Sequence, residues 1–543
     1  MGVPMFDDAL ELRLQLNVNQ QDYNIPGANI KAFQVSVYPY GFSASVSFWV
    51  SGEVTEDKLF QNFTKPGQIK VCLEIEARIK PKDAKPEPLS LQGMATTKAV
   101  LKELTIETTV IKGKPVLYRF YRVDFQDVAS VLWKQHFPFV LLTDSSVKDL
   151  MDAGKASGVE LKYDWKILED KYPVNTLSCG TRENPVSFYN FVLWFAACYN
   201  GAFYYDTKKN QYTLSEKKSQ DGKPVNVSGL EIEDYRVEFP EMKLSNIRAF
   251  NVVAEGSVKK EGKQENTVDG LWRDLLARMP VAADFDKWFE LVSAGNITRG
   301  HELYLFHKRF PLITFRPDLF LTLEGGLWSD KSFLKGKTYR LCDIVLNGSA
   351  QDTGPDADHN LDYTTYHVEM TSRLELKTEA APNLPSFQEP VYPLSVEGTI
   401  VSEQGKDEEE TYQIYTDDKT KLDYLKVKIP AFDNKIVPVP FEPLFDSGHF
   451  YFAPYKKEKV LVDLYFHEAR ISRFLDWRAD ARLPMDTQGN HILMGKGKDS
   501  KTSVDHVYAE NKPKLTITRT SQKDTEMIQL NEGTIILQTK EES

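Results

Sequence analysis

The residues that come nearest to a metal-binding pattern are His301, Glu302 and His307 in the run HELYLFH. A zinc-binding HExxH helix needs its histidines four apart, so that both face one ion. Here position 305 is Leu305, and six residues of helix would turn the two imidazoles about 120° apart. The run DTGPDADHNLD, with Asp356 and Asp358, offers alternating carboxylates to a hard cation. Counted from Asp356, a calcium loop would want Gly at its sixth position and Glu at its twelfth, where this chain has Leu361 and His367. A polar hairpin or surface loop is the expectation there. GKGK at 495–498 lacks the spacing of a phosphate-binding loop, and no GxSxG elbow occurs. Cys179 has no base beside it in sequence and reads as an inert buried thiol. A glycosidase would need a carboxylate pair such as Glu324 and Asp476, but 78 acidic residues give that pair no specificity. The acidic run at 407–410 reads as a solvated loop. No catalytic residue, metal or cofactor is expected.

What must be positioned is therefore surface, and length and charge constrain it. The 543 residues correspond to three or four domains. Charged residues at 27%, hydrophobic residues at 41% and aromatics at 12% describe a folded globular chain. With 67 Lys+Arg against 78 Asp+Glu the net charge is −11, the wrong sign for coating phosphate, so nucleic acid is not an expected partner. Cys72, Cys179, Cys198 and Cys342 are too few and too scattered for a disulfide framework, which suits a reducing compartment. The N-terminal run carries acids where a secretory signal carries bases, so synthesis in the cytoplasm without a signal peptide is expected.

Residues 10–18 alternate, with Leu10, Leu12, Leu14, Leu16 and Val18 on one side, and predict a half-buried strand. Similar runs through about residue 130 predict a first antiparallel β domain (1–130). Asp144 as N-cap, Val147, Leu150 and Met151 at helical spacing and Gly158 as the closing glycine predict one helix. Asn184 as cap, Pro185 at the first turn and Gly201 at the end predict a second. Together they give an α/β unit over 131–235. Strands return over 236–377, with a helical insertion expected around Leu271–Ala294. The proline-bearing stretch 378–390 reads as a linker, and 391–490 as one small barrel, with Val460, Val462 and Leu464 alternating in a strand from Lys459 to Phe466.

The tail, 491–543, differs. LTITRT, EMIQL and TIILQT are short apolar strands separated by polar turns, and their stripe of Leu515, Ile517, Ile528, Leu530, Ile535 and Leu537 has no partner in a lone chain. Another domain or further copies of the chain must cover it. About 30 residues separate the end of the barrel pattern from the first of these strands, too few for an independent catalytic domain.

This order of parts resembles the VgrG spike family and the fused hub and spike of contractile phage tails and injection particles. The resemblance rests on layout and on quotable segments. NPVSFYNFVLWFAACYNGAFYYDTKKNQYTLSE resembles the hub's apolar helix passing into a hairpin. The stretch from KVKIPAFDN to VLVDLYFHEARISRFLDW looks like the family's OB-type barrel, although Lys457 and Glu458 replace the usual Gly-Asp. MDTQGNHILMG lies where the family closes that barrel, and TIILQT looks like a rung of its trimeric prism. The resemblance implies a mainly β fold: two β-barrel hub domains with an α/β insertion, an OB-type barrel and a C-terminal β-prism. It implies a homotrimer, with the six apolar residues as prism core, acting as a structural spike that punctures membranes. Its implied partners are inner-tube and tube-initiator proteins, baseplate proteins, effector cargo and a PAAR-like tip protein docked on Ile536, Glu541, Glu542 and Ser543. The particle would be extracellular, or delivered into its target on contraction. The competing reading is a multidomain β protein that binds or hydrolyses glycans.

Overall fold

The computed structural model describes residues 3–52, 58–80, 86–107, 115–180, 185–253, 258–263, 267–325, 328–406, 409, 411–440, 454–475, 489–497 and 499–541. The chain divides into two compact units, the first made chiefly of residues 1–140, 146–171 and 177–391, the second of 141–145, 172–176 and 392–543.

In the first unit the leucine alternation forms the strand Met5–Val18, with Leu10, Leu12, Leu14, Leu16 and Val18 all buried. Arg13 points outward and pairs with Glu11, Glu74 and Glu76. Six strands of the N-terminal region do not close a barrel by themselves. The order Met5–Val18, Ile69–Ala77, Leu89–Glu107, Pro115–Asp127, Gly41–Gly52, Ile30–Tyr38 leaves an open edge at each end. A hairpin from far downstream, Thr338–Ala350 and Tyr363–Leu376, fills the gap: Ile344–Ser349 pairs with Ala32–Val37, and Tyr363–Glu369 pairs with Met5–Glu11. The eight strands thus close on themselves and remove both edges.

The same hairpin is longer than the barrel needs. Its other half pairs Thr338–Arg340 with Phe320–Thr322, and Thr371–Glu375 with Glu302–Phe306, which in turn pairs with Ile232–Glu238. The two β regions read separately in the sequence, 1–130 and 236–377, therefore share two strands within one hydrogen-bonded sheet. The insertion differs too: Leu271–Ala294 is not wholly helical, but contains the strand Trp272–Ala277 and the helix Ala282–Ala294, packed through Phe285 and Trp288 on Ala249 and Ala277.

Both helices of the α/β region exist, with other caps than expected. The first is Val147–Gly154, capped by Ser146, whose hydroxyl accepts from the Asp149 amide while the Asp149 carboxylate accepts from the Ser146 amide. Asp144 is instead a left-handed residue of the preceding strand, and Gly158 lies in a turn four residues past the helix end. The second helix, Phe188–Cys198, is capped by Ser187, so Pro185 precedes it; Asn184 lies outside the described residues. Asn200, not Gly201, takes the left-handed conformation after it. Gly201 is required for another reason, since a Cβ there would lie 2.2 Å from the Trp165 ring.

The second unit is a barrel-like sheet of Leu394–Val401, Tyr415–Thr416, Asp423–Ile429, Lys435–Pro440, Lys459–Leu464 and Ala469–Phe474, followed by a separate sheet over 489–540. Val460, Val462 and Leu464 are fully buried, as their alternation predicts, in a core with Val427, Val437 and Val439. Leu141 and Val174, from 141–145 and 172–176, complete that core. His467 stacks on Tyr172 at 3.8 Å and hydrogen-bonds Asn175 Oδ1 at 2.7 Å.

Burial holds His307 and His467 neutral, each with its pKa pushed down to about 3. An unfolded histidine titrates near 6.5, so between these values the unfolded chain binds more protons than the folded one. Stability from these groups is complete above about pH 6.5 and is lost as pH falls toward 3, at up to about 1.4 kcal/mol per pH unit for each. His307→Gln is expected to flatten the fall of melting temperature between about pH 6.5 and 4.5. A scanning-calorimetry slope identical to that of the unaltered chain would contradict the assignment.

Candidate assembly surface on the C-terminal sheet

The tail forms a five-stranded antiparallel meander of Gly489–Gly497, Ser500–Ala509, Lys512–Ser521, Asp524–Asn531 and Thr534–Lys540. Its strands are longer than the few residues read in LTITRT, EMIQL and TIILQT, because flanking residues such as Lys512, Lys514, Ser521, Asp524, Thr525, Asn531 and Lys540 continue the ladders. HILMG, assigned above to the closing of the barrel, is part of its first strand. Two-residue turns fix the register. Glu510 and Asn511 both have positive φ, 50° and 63°, the geometry of a tight hairpin turn, and Gly533 at φ 68° serves the last one.

That register decides which side chains share a face. Directly paired residues point the same way, so Leu515, Leu530 and Ile535 form one transverse row and Ile517, Ile528 and Leu537 a second, two positions along. All six expected residues thus lie on one face. Val504 pairs with Ile517 and Ile492 with Val504, which extends the second row to five apolar residues. Ile492 and Val504 were missed in the sequence for different reasons: Ile492 opens the consecutive apolar run Ile492–Met494, which shows no alternation, and Val504 stands between the polar Ser503 and Asp505. On the opposite face the rows read His491, Asp505, Thr516, Gln529, Ile536 and Leu493, Ser503, Thr518, Met527, Gln538. Ile536 therefore points away from Ile535 and Leu537. Glu541 follows the last strand and is exposed, and Glu542 and Ser543 lie outside the described residues.

The apolar face is uncovered. Ile535 is 70% and Leu537 73% exposed, and Ile492, Ile517, Ile528 and Leu530 are exposed as well. A soluble chain rarely leaves so continuous an apolar surface open, and covering it is worth roughly 1–2 kcal/mol per side chain. Thr534–Lys540 is the outer strand of the sheet, so one row of its backbone groups has no strand partner within the sheet.

Of the residues first weighed for chemistry, Gly495–Gly497 of GKGK lie in the meander's first strand, and the histidines, the aspartate loop, Cys179 and Glu324 lie elsewhere. His301 precedes and His307 ends a strand, not a helix, and they hydrogen-bond Tyr339 Oη at 3.2 Å and Ser372 Oγ at 2.9 Å. The aspartate loop ends the shared hairpin. The buried Lys31 ammonium reaches into it, donating to Ala357 O at 3.1 Å and facing Asp352, Asp356 and Asp358, so a protein cation already answers these carboxylates. Burial pushes the Cys179 thiol up to about 12, far from a nucleophile's range. Glu324 is exposed at a strand end, and Asp476 lies outside the described residues. No helix among the described residues is long and apolar enough to cross a membrane.

No family model and no curated protein matches the sequence. Solved structures do match the fold along its whole length. A chain of the lidless PdpA-VgrG complex superposes with a TM-score of 0.69 at 12% identity, covering 99% of this chain and 99% of that one. A chain of the half-lidded Francisella PdpA-VgrG complex gives 0.68 at 12% identity, covering 98% of this chain and 88% of its own. The fold is VgrG-like. At 12% identity the likeness lives in topology.

Proposed function

We propose that this chain is the structural hub and spike of a contractile injection machine, assembled as a homotrimer that links inner tube and baseplate to the piercing tip. The observation that carries the reading is the uncovered apolar face of the terminal meander, on a chain whose fold is VgrG-like throughout. Three copies of that meander, apolar faces inward, would make a triangular prism and bury the rows of Leu515 and Ile517. The barrel of the second unit would serve as the OB-type collar, and the first unit as the hub facing tube and baseplate proteins. A non-enzymatic role follows from this reading, and effector cargo would travel with the particle rather than be processed by it. The glycan-binding alternative gives no account of a terminal sheet with a bare apolar face.

Charging the interior tests the assembly. Ile528→Asp would set three unpaired carboxylates near one axis and is expected to cost several kcal/mol per trimer. Thr518→Asp, on the opposite face, should leave assembly intact. Light scattering that reports the same mass and melting for both variants would refute the inward assignment.

The tip follows from the outer strand. The open edge of Thr534–Lys540 with Ile536, Glu541, Glu542 and Ser543 would dock a separately encoded PAAR-like cap, which covers the strand end. Deleting residues 534–543 is expected to abolish co-purification of the cap and leave the hub trimeric. Retention of the cap by the truncated chain would refute the docking site.

A further inference from the structure

In the first unit, on the half of the shared hairpin that lies beyond the barrel, one carboxylate holds two groups that can react with each other. Glu375 is 3% exposed and Lys218 4%. The Lys218 ammonium donates to both Glu375 oxygens, at 2.8 and 2.9 Å. The amide of Asn383 donates through Nδ2 to Glu375 Oε2, also at 2.9 Å. Its carbonyl Oδ1 accepts from Arg299 Nη1 at 2.9 Å. These partners fix the amide's orientation, since a guanidinium can only donate and the carboxylate accepts. Arg299 also donates to Pro382 O, and Glu379 accepts from the amides of Gly300 and Ala381, so the stretch bearing Asn383 is held in place rather than hanging as a free linker. Ala202, Phe203 and Tyr204 wall the site, whose cavity of about 10 Å³ has room for one small molecule the size of water or ammonia.

We propose that Lys218 and Asn383 form an intramolecular isopeptide bond, with Glu375 as proton shuttle and Arg299 as the donor that stabilises the oxyanion. Glu375 takes one proton from the Lys218 ammonium and frees its lone pair. The amine attacks Cγ of Asn383, the new C–N bond forms, and the carbonyl electrons move to Oδ1 against Arg299. Glu375 passes its proton to Nδ2, the Cγ–Nδ2 bond breaks, and ammonia leaves. The attacking nitrogen gives its extra proton back to Glu375, and the ammonia takes it away as ammonium. One amide replaces another, with no oxidant, reductant or cofactor. Burial lowers the Lys218 pKa, opposed in part by Glu375, which eases the first proton transfer. Arg340 Nη1 also donates to Glu375 Oε1, at 3.4 Å.

This inference is independent of the hub-and-spike reading, and the full-length chain tests it directly. Intact-mass measurement is expected to fall short of the sequence mass by one ammonia, about 17 Da, and trypsin should release a branched peptide joining the Lys218 and Asn383 segments. Lys218→Arg keeps the cation but removes the nucleophile, and Glu375→Gln removes the shuttle; both should restore the full mass. A folded, unaltered chain with the full sequence mass would overturn the proposal. So would a mass loss accompanied by a linear Lys218 peptide, because ring closure of Asn383 on its own backbone also releases ammonia.

Discussion

An unpaired strand edge inside a folded protein is costly, and the closure of edges by one hairpin is the constraint on which the first unit depends. Thr338–Ala350 and Tyr363–Leu376 supply the last two strands of the N-terminal barrel with one half of their length, and the central strands of the downstream half of the same sheet with the other. The barrel does not close without the hairpin. The chain between them, which includes the α/β region, is thereby bracketed: it leaves the barrel after Asp127 and must return for the barrel to close. Asp127 itself is buried there, accepting from the amides of Phe42 and Ser130 and from the Tyr212 hydroxyl, and so ties the barrel's last local strand to the α/β region.

The terminal meander presents the opposite situation. Four inter-strand ladders pair its strands and its turns are short, but one face carries two apolar rows that remain open. Five strands with tight turns can hold their register; what they lack is a second layer. The first unit closes on itself within one chain, whereas the meander would close only between chains.

What the sequence revealed follows the range of the interactions involved. The strand Met5–Val18 and the strand at Val460–Leu464 were legible because a period of two needs no knowledge of partners. The helix at Val147 was legible, but its cap was misplaced by two residues, since Asp144 and Ser146 are both good caps and only the reciprocal bonds with Asp149 decide between them. The shared hairpin was not legible, because its strands pair with residues more than 300 positions away and periodicity carries no pairing information. In the tail, Ile528 and Leu530 stood out, whereas Val504 is an isolated β-branched residue whose alignment with Ile517 depends on the turn at Glu510 and Asn511. The Lys218, Glu375, Asn383 and Arg299 group left no sequence trace at all, as no two of its members are within seven residues of each other.

The position of that group along the chain gives it a mechanical meaning. Asn383 lies just before the point where the chain passes from the first unit to the second, near Val391 and Tyr392. In the proposed spike, load would pass through this connection, and with backbone links alone it would enter the first unit through Leu376 and peel the long hairpin strand from its neighbours one hydrogen bond at a time. The proposed covalent tie at Asn383 would meet the load first and pass it to Lys218, next to the strand Gln211–Ser215. The hairpin that closes the barrel would then be shielded from peeling. Its ladder has only to resist thermal opening, which the closed sheet already does.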